Sequence, residues 1–316
     1  MDEPAWGLII VFYVFLAGVS AGAFATSAAI LLATGDRYRS SVAWGAYLAP
    51  TLVSAGTALL IFDLGQPLRA PRLFSRLVVT SPMSFGSWFL TTFIIVSILY
   101  MVLWLPQRWL RFAPAKLQKV FERRWAIALV RTMRRALAVL GLPLALGVGI
   151  YTGILVGVAA HPLWKLPLIP ILFVVSAVST GITAVMLCVL LTNRKAPTPD
   201  TQRETSILLR ADLSLLLIEF GLLSLMILYS RLDDLAVRRA WDVILDGRYS
   251  QMFWLGPVLL GILLPIAMDV IELRHERHAA ERPPSRALPW LGLVTASCVM
   301  LGGFLLRYVV VFAGQP

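Results

Sequence analysis

Asp212 and Glu219 stand seven residues apart within a mostly apolar stretch, Ile207 to Ser230. Seven residues are two helical turns, so on a helix the two carboxyls share one face about 10.5 Å apart along the axis. Carboxyls held in a low dielectric can take up protons and hand them on, and this pair therefore suits a proton relay. Asp269, near the end of another apolar stretch, is a third candidate for the same path. A second set is phenolic and charged: Tyr13, Tyr151 and Arg307 lie inside apolar stretches, and Asp63 ends one. Hydrogen-bonding groups from four separate stretches suit an apolar molecule with polar ends, such as a quinone, whose two carbonyls each need a donor and whose ring suits an aromatic wall. Each set also has a plainer reading. Tyrosines belong to interfacial belts, Arg307 and Asp63 can satisfy one another, and Asp212 and Asp269 can mark membrane ends. Glu219 fits that plainer reading least, because it falls near the middle of its stretch.

The residues that hold metals are scarce. The histidines are His161, His275 and His278, all in loops or at helix ends, whereas a membrane-embedded b-type haem needs two axial histidines projecting from helices. The two cysteines, Cys188 and Cys298, lie far apart in apolar runs, without the clustered ligands of a zinc or iron–sulfur site. The chain is expected to carry no haem, no cluster and no other metal site, so any electrons it handles pass at a surface to another protein.

The elements that position these groups follow from composition. Of 316 residues, 59% are hydrophobic and 14% charged, with a mean hydropathy of +0.80, which excludes a water-soluble globule. Apolar runs long enough to span a bilayer occur at about 6–33, 41–62, 84–105, 136–160, 166–192, 207–230, 252–271 and 288–313. Backbone groups in hydrocarbon must be bonded within the segment, and short alternating strands are missing, so the expectation is an all-α membrane protein with eight transmembrane helices forming one polytopic domain over 1–316. The first run follows Met1-Asp2-Glu3-Pro4 and is too long for the core of a secretory signal, so it counts as a span.

The net charge of +11 and the pI near 10.3 would suggest nucleic acid in a soluble protein. Here the Lys and Arg residues fall nineteen on one set of alternate loops and eight on the other, with Arg307 inside a helix. The positive-inside rule accounts for the charge without nucleic acid and puts both termini outside. Counted inward from the outer boundary, Tyr13 and Arg307 lie roughly 9–10 Å deep, Tyr151 roughly 13 Å, and Asp63 at the rim. The inner loop from Gln107 to Arg135 mixes cations with Trp109, Phe112, Val120, Phe121 and Trp125, as suits a stretch lying on anionic lipid. The outer loop from Arg231 to Gln251 mixes four Asp with four Arg, ends on an Asp246-Gly247 turn and is expected to be solvated. Asp63-Leu64-Gly65-Gln66-Pro67-Leu68-Arg69 forms a turn suited to a rim or docking surface, and Ser84 is a candidate cap for the third helix. Val19-Ser20-Ala21-Gly22 in the first helix is echoed by Val178-Ser179-Thr180-Gly181 in the fifth. Both helices enter from the same side, which points to two four-helix bundles related by an axis along the membrane normal.

At these residues the chain resembles the NrfD/PsrC family, the quinone-reactive membrane subunits of nitrite, polysulfide and related respiratory complexes. The resemblance covers essentially the whole chain. It rests on Phe15-Leu16-Ala17-Gly18-Val19-Ser20-Ala21-Gly22, the Asp63 to Arg69 turn, Ser81-Pro82-Met83-Ser84, Tyr151-Thr152-Gly153, Pro170 to Gly181, and Gly302-Gly303-Phe304-Leu305-Leu306-Arg307-Tyr308 with Ala313-Gly314-Gln315. It implies an eight-helix core of two four-helix bundles in the bacterial inner membrane, with menaquinone or ubiquinone bound near the periplasmic face. It also implies a periplasmic ferredoxin-like subunit with four iron–sulfur clusters, connected to a molybdopterin enzyme or a multihaem cytochrome. Tyr151 matches a family tyrosine associated with the quinone site. Where some members have a histidine in the first helix this chain has Tyr13, and an apolar residue replaces a nearby asparagine; both departures bear on the polar contacts of the ligand. Two other classes stay open, an ion or solute transporter and an inert membrane anchor. Few polar residues at mid-depth and a parallel rather than inverted echo speak against transport.

Overall fold

The computed structural model describes residues 6–63, 82–105, 123–157, 162–193, 198–232, 234–279 and 289–315. Among the described residues the chain is all-helical, and eight of the helices are long and apolar enough to cross a bilayer. In order they are α1 (Leu8–Thr34), α2 (Arg39–Asp63), α3 (Pro82–Leu103), α4 (Arg124–Gly157), a 3₁₀ turn (Pro162–Lys165), α5 (Leu168–Thr192), α6 (Pro199–Leu232) and a short α7 (Leu235–Leu245). The seventh crossing starts at α8 (Ser250–Phe253), continues through a π-helical segment (Trp254–Leu263) and ends as α9 (Leu264–Ala279); α10 (Pro289–Ala313) is the eighth.

Most boundaries fall within two residues of those expected from hydropathy. Two helices begin well before their apolar runs, α4 at Arg124 instead of 136 and α6 at Pro199 instead of 207. A helix need not stop where the lipid does. At α6 the extra turns have their own start signal: the Thr198 hydroxyl accepts the Thr201 N–H at 3.2 Å, Pro199 takes the first helical position, and Asp200 sits in the positive first turn. The helix α3 likewise starts at Pro82, so Ser84 lies inside it and is not its cap. In the seventh crossing Pro257 lacks the N–H that an α-helical ladder needs, and the backbone there is wound in the wider π form.

The outer loop expected to be solvated is instead partly folded. Val237, Trp241, Ile244 and Leu245 recur at helical spacing and are buried as one face of α7, while Arg238 and Arg239 are exposed on the other. Dense charge hid this eleven-residue amphipathic helix. The expected amphipathic stretch at 107–135 falls outside the described residues as far as 122, and its remainder is the first part of α4, with Trp125 exposed.

Helix α1 packs against α2, α4, α5 and α10 and is buried over most of its length. Its small residues allow this. A Cβ on Gly22 would overlap the Ala177 carbonyl of α5, and one on Gly181 would overlap the Gly22 backbone, so the two glycines matched in the sequence echo touch at the α1–α5 crossing. Hydroxyls add polar ties: Ser20 donates to the Ala49 carbonyl at 2.6 Å, and Ser27 donates to the Val42 carbonyl at 2.7 Å. At one end of the molecule the Trp6 N–H donates to Gln315 Oε1 at 2.9 Å, and Gln315 Nε2 donates to the Trp6 carbonyl at 3.1 Å. At the other end, Arg134 donates to the last carbonyls of α3 at Leu103 and stacks 4.0 Å from the Trp104 ring, while Glu204 accepts the Ser41 N–H in the first turn of α2. Those two contacts place a cation at a helix C-terminus and an anion at an N-terminus, as the helix dipole favours.

Candidate functional site

Tyr13 is wholly buried on the side of α1 that faces α2 and α4, and its hydroxyl has no hydrogen-bond partner among the described residues. Gly56 of α2 lies beside it, where a Cβ would be in ordinary contact with the Tyr13 carbonyl at 3.4 Å and its ring at 3.5 Å. Tyr151, half-buried on α4, lies directly over Gly86 near the start of α3, where any Cβ would overlap its ring and hydroxyl. The two phenols are within electrostatic reach of each other. A buried phenol left unbonded costs free energy unless something else accepts its proton, and Tyr13 is such a group. Asp63 is the last residue of α2; its side chain and the following turn lie outside the described residues.

Arg307 does not join this pair. Tyr13 and Phe15 are about 200° apart around α1, and the guanidinium packs on the Phe15 side. It lies against Gly18, where a Cβ would be 2.8 Å from Nη2, and its carbon sits 5.6 Å from the centres of both the Phe15 and Phe173 rings. Nη1 donates to the Gly303 carbonyl at 2.7 Å and to Ser176 Oγ at 3.3 Å, while Nε has no partner among the described residues. Ser176 and Glu219 line the same narrow cleft, and the Glu219 carboxyl lies within electrostatic reach of the guanidinium. A fully buried arginine in an apolar chain thus has a buried carboxylate near it as its counter-charge.

The remaining carboxyls continue from Glu219 toward the opposite end. Asp212 is buried and accepts a 2.6 Å hydrogen bond from Ser179, with its other oxygen unpartnered among the described residues. Asp269 of α9 is buried with both oxygens unpartnered among those residues, within electrostatic reach of Asp212 and of Glu272. Sequence reasoning finds the three carboxyls and misses the hydroxyls. Ser176, Ser179, Thr180 and Thr183 are all buried on α5, spaced as one helical stripe opposite the acids of α6. Their signal is the Val178 to Gly181 echo, in which the hydroxyls read as packing residues. His275, at the same end, is exposed and bonds only its own helix at Ile271; the side chains of His161 and His278 lie outside the described residues.

Residues 1–316 match the family described as Polysulphide reductase, NrfD. The chain belongs to that family. Among its relatives, a polysulfide reductase chain from Wolinella succinogenes is 27% identical, with 99% of this chain and 95% of the relative aligned. Protein NrfD of Escherichia coli is also 27% identical, over 99% and 96% of the two chains. A selenate reductase subunit from Mesobacillus selenatarsenatis is 29% identical, over 84% and 67%. The protein is thus a multi-pass NrfD-family membrane protein whose relatives include named subunits of reductases. Within this NrfD chain the polar groups in the spans divide into two sets, the tyrosine pair and the carboxyl row, with α1 between them.

Proposed function

We propose that this chain is the membrane subunit of a respiratory oxidoreductase complex, binding quinone or quinol at the Tyr13–Tyr151 pair and exchanging electrons with an iron–sulfur partner docked at the same face. The observation that carries this reading is the Tyr13 hydroxyl, a wholly buried donor without an acceptor among the described residues, next to a second phenol. Two phenolic donors on separate helices fit the carbonyl oxygens of a quinone, and the apolar walls of α1 to α4 fit its ring and tail. When bound, quinol supplies two electrons and two protons. The tyrosines orient the oxygens at which those protons are lost or gained, and Asp63, which the sequence puts at the outer rim, is the remaining candidate of this site.

The Lys and Arg asymmetry supports an orientation with both termini periplasmic in the bacterial inner membrane. The contact of the matched glycines, Gly22 and Gly181, supports two four-helix bundles related by an axis passing near that crossing. The partner is a ferredoxin-like four-cluster subunit leading to a molybdopterin or multihaem catalytic subunit, and the quinone is menaquinone or ubiquinone. Glu219, Asp212 and Asp269 form the inner limb of a proton path, with Arg307 at its outer end.

Quinol oxidation by the purified complex tests the site. Tyr13→Phe and Tyr151→Phe each remove one donor and should raise the KM for quinol about tenfold, the worth of one well-placed hydrogen bond. Wild-type kinetics in both variants would remove the tyrosine pair from the site.

A further inference from the structure

Two carboxyls about 10.5 Å apart along α6 cannot exchange a proton directly, since hydrogen-bond reach is about 3 Å. What lies between Asp212 and Glu219 decides whether the row is a path. Each carboxyl has a different serine of α5 beside it: Ser179 donates to Asp212 at 2.6 Å, Ser176 shares a cleft with Glu219, and the two serines are one helical turn apart. Because α5 and α6 run antiparallel, the descending serine pair matches the ascending acid pair. A narrow cleft opens beside them, lined by Ser176, Thr180 and Glu219 on its polar side and by Pro257, Gly261 and Gly302 on the other. The cleft has room for water, and its hydroxyls and carboxyl offer the two to four polar partners that a buried water needs. The π-wound backbone at Pro257 and the close approach of Gly261 to Gly302, where no Cβ fits, shape its far wall.

Polarity at Ser176 follows from its neighbours. Arginine is a donor only, so Ser176 Oγ accepts from Arg307 and keeps its own hydrogen to give, with Glu219 in the same cleft. Ser179 likewise gives its hydrogen to Asp212. A hydroxyl in this state can accept a proton on its oxygen and release its own to the carboxylate that it already faces.

We propose that Ser176 and Ser179 are the transfer groups of this path, carrying protons between Asp212 and Glu219 through water held in the Ser176–Thr180–Glu219 cleft. The inference rests on the proton-path reading of the carboxyl row. In each passage one O–H bond forms at the serine oxygen as another breaks, and the net change is one proton moved from one carboxyl to the other, with no oxidant or reductant consumed. Arg307 acts here as a positioning residue that fixes the orientation of Ser176.

The test uses the whole complex in proteoliposomes, measuring quinol oxidation and protons moved per electron for wild type, Glu219→Gln, Ser176→Ala, Ser179→Ala and Ser176→Thr. The expected result is that Ser176→Ala and Ser179→Ala lower the proton-to-electron ratio to the level of Glu219→Gln, while Ser176→Thr, which keeps the hydroxyl, holds the wild-type ratio. A drop in Glu219→Gln with unchanged ratios in both alanine variants would overturn the role of the serines and leave the carboxyl path standing. An unchanged ratio in Glu219→Gln would overturn the path and the serine role together. Equal loss in Ser176→Ala and Ser176→Thr would also contradict the proposal, because packing and not the hydroxyl would then be at stake.

Discussion

The two polar regions on either side of α1 differ in the groups they bury and in what those groups face. On the α2–α4 side, Tyr13 presents a buried donor with nothing among the described residues to receive it, and Tyr151 rests on a glycine. On the α5–α10 side, Ser176 accepts from Arg307 and Ser179 donates to Asp212, while Arg307 Nε, the second Asp212 oxygen and both Asp269 oxygens have no partner among the described residues. Polar groups in hydrocarbon are expensive unless bonded. On the proposed reading, an open phenol donor without a charge near it waits for a ligand, whereas a row of carboxyls beside serine hydroxyls and a guanidinium suits protons already inside. On that reading ligand binding falls on one side and internal proton movement on the other, although both sides use one or two ionisable groups per helix.

The largest expected effect comes from removing the partition itself. Gly22→Val drives a branched side chain into the Ala177 carbonyl and should cost about 3 kcal/mol or more, with both regions lost together in thermal unfolding and in quinol oxidation. Gly86→Ala should separate them. Its new methyl group displaces Tyr151, so the quinol KM should rise about tenfold while the proton-to-electron ratio measured in vesicles stays at wild type.

A pair of smaller changes sharpens the contrast through its sign. Tyr13→Phe removes a buried hydroxyl that has no partner among the described residues and should leave the ligand-free protein as stable as wild type or up to about 1 kcal/mol more stable. Ser179→Ala removes a hydroxyl bonded to a buried carboxyl and should destabilise by about 1 kcal/mol, since hydrogen bonds between membrane helices are worth that much or less. Thermal unfolding of the two purified variants without quinone, side by side, reads the sign directly. Arg231→Ala should do least. Its bridges to Asp242 and Asp246 at 2.8 and 3.5 Å are partly exposed and belong to neither region, so stability should change by less than about 1 kcal/mol and both activities should persist.

The fold was legible because a bilayer leaves few alternatives: eight apolar runs of the right length become eight helices. Boundaries slipped where helices outlive their apolar runs, at Arg124 and Pro199, and where charge disguised an amphipathic helix at Leu235–Leu245. The site was legible in part for the same reason. Tyr13, Tyr151, Asp212, Glu219 and Arg307 stand out against apolar surroundings, and their depth can be counted at a fixed rise per residue. The rotation of each helix could not be counted. Spans such as α1 are apolar around most of their circumference, so hydropathy alone does not tell that Tyr13 and Phe15 face different neighbours. The bond from Arg307 to Ser176 joins residues 131 apart in sequence, and serine in a membrane helix is too common to signal a role by its presence.

The most direct measurement is equilibrium binding of a short-tailed quinone to the purified complex, in wild type and in the Tyr13→Phe, Tyr151→Phe and Glu219→Gln variants. Separate regions require that each tyrosine change weaken binding about tenfold, while Glu219→Gln binds as wild type does. Wild-type affinity in both tyrosine variants, with weakened binding in Glu219→Gln, would place the ligand on the carboxyl side of α1 and contradict the division.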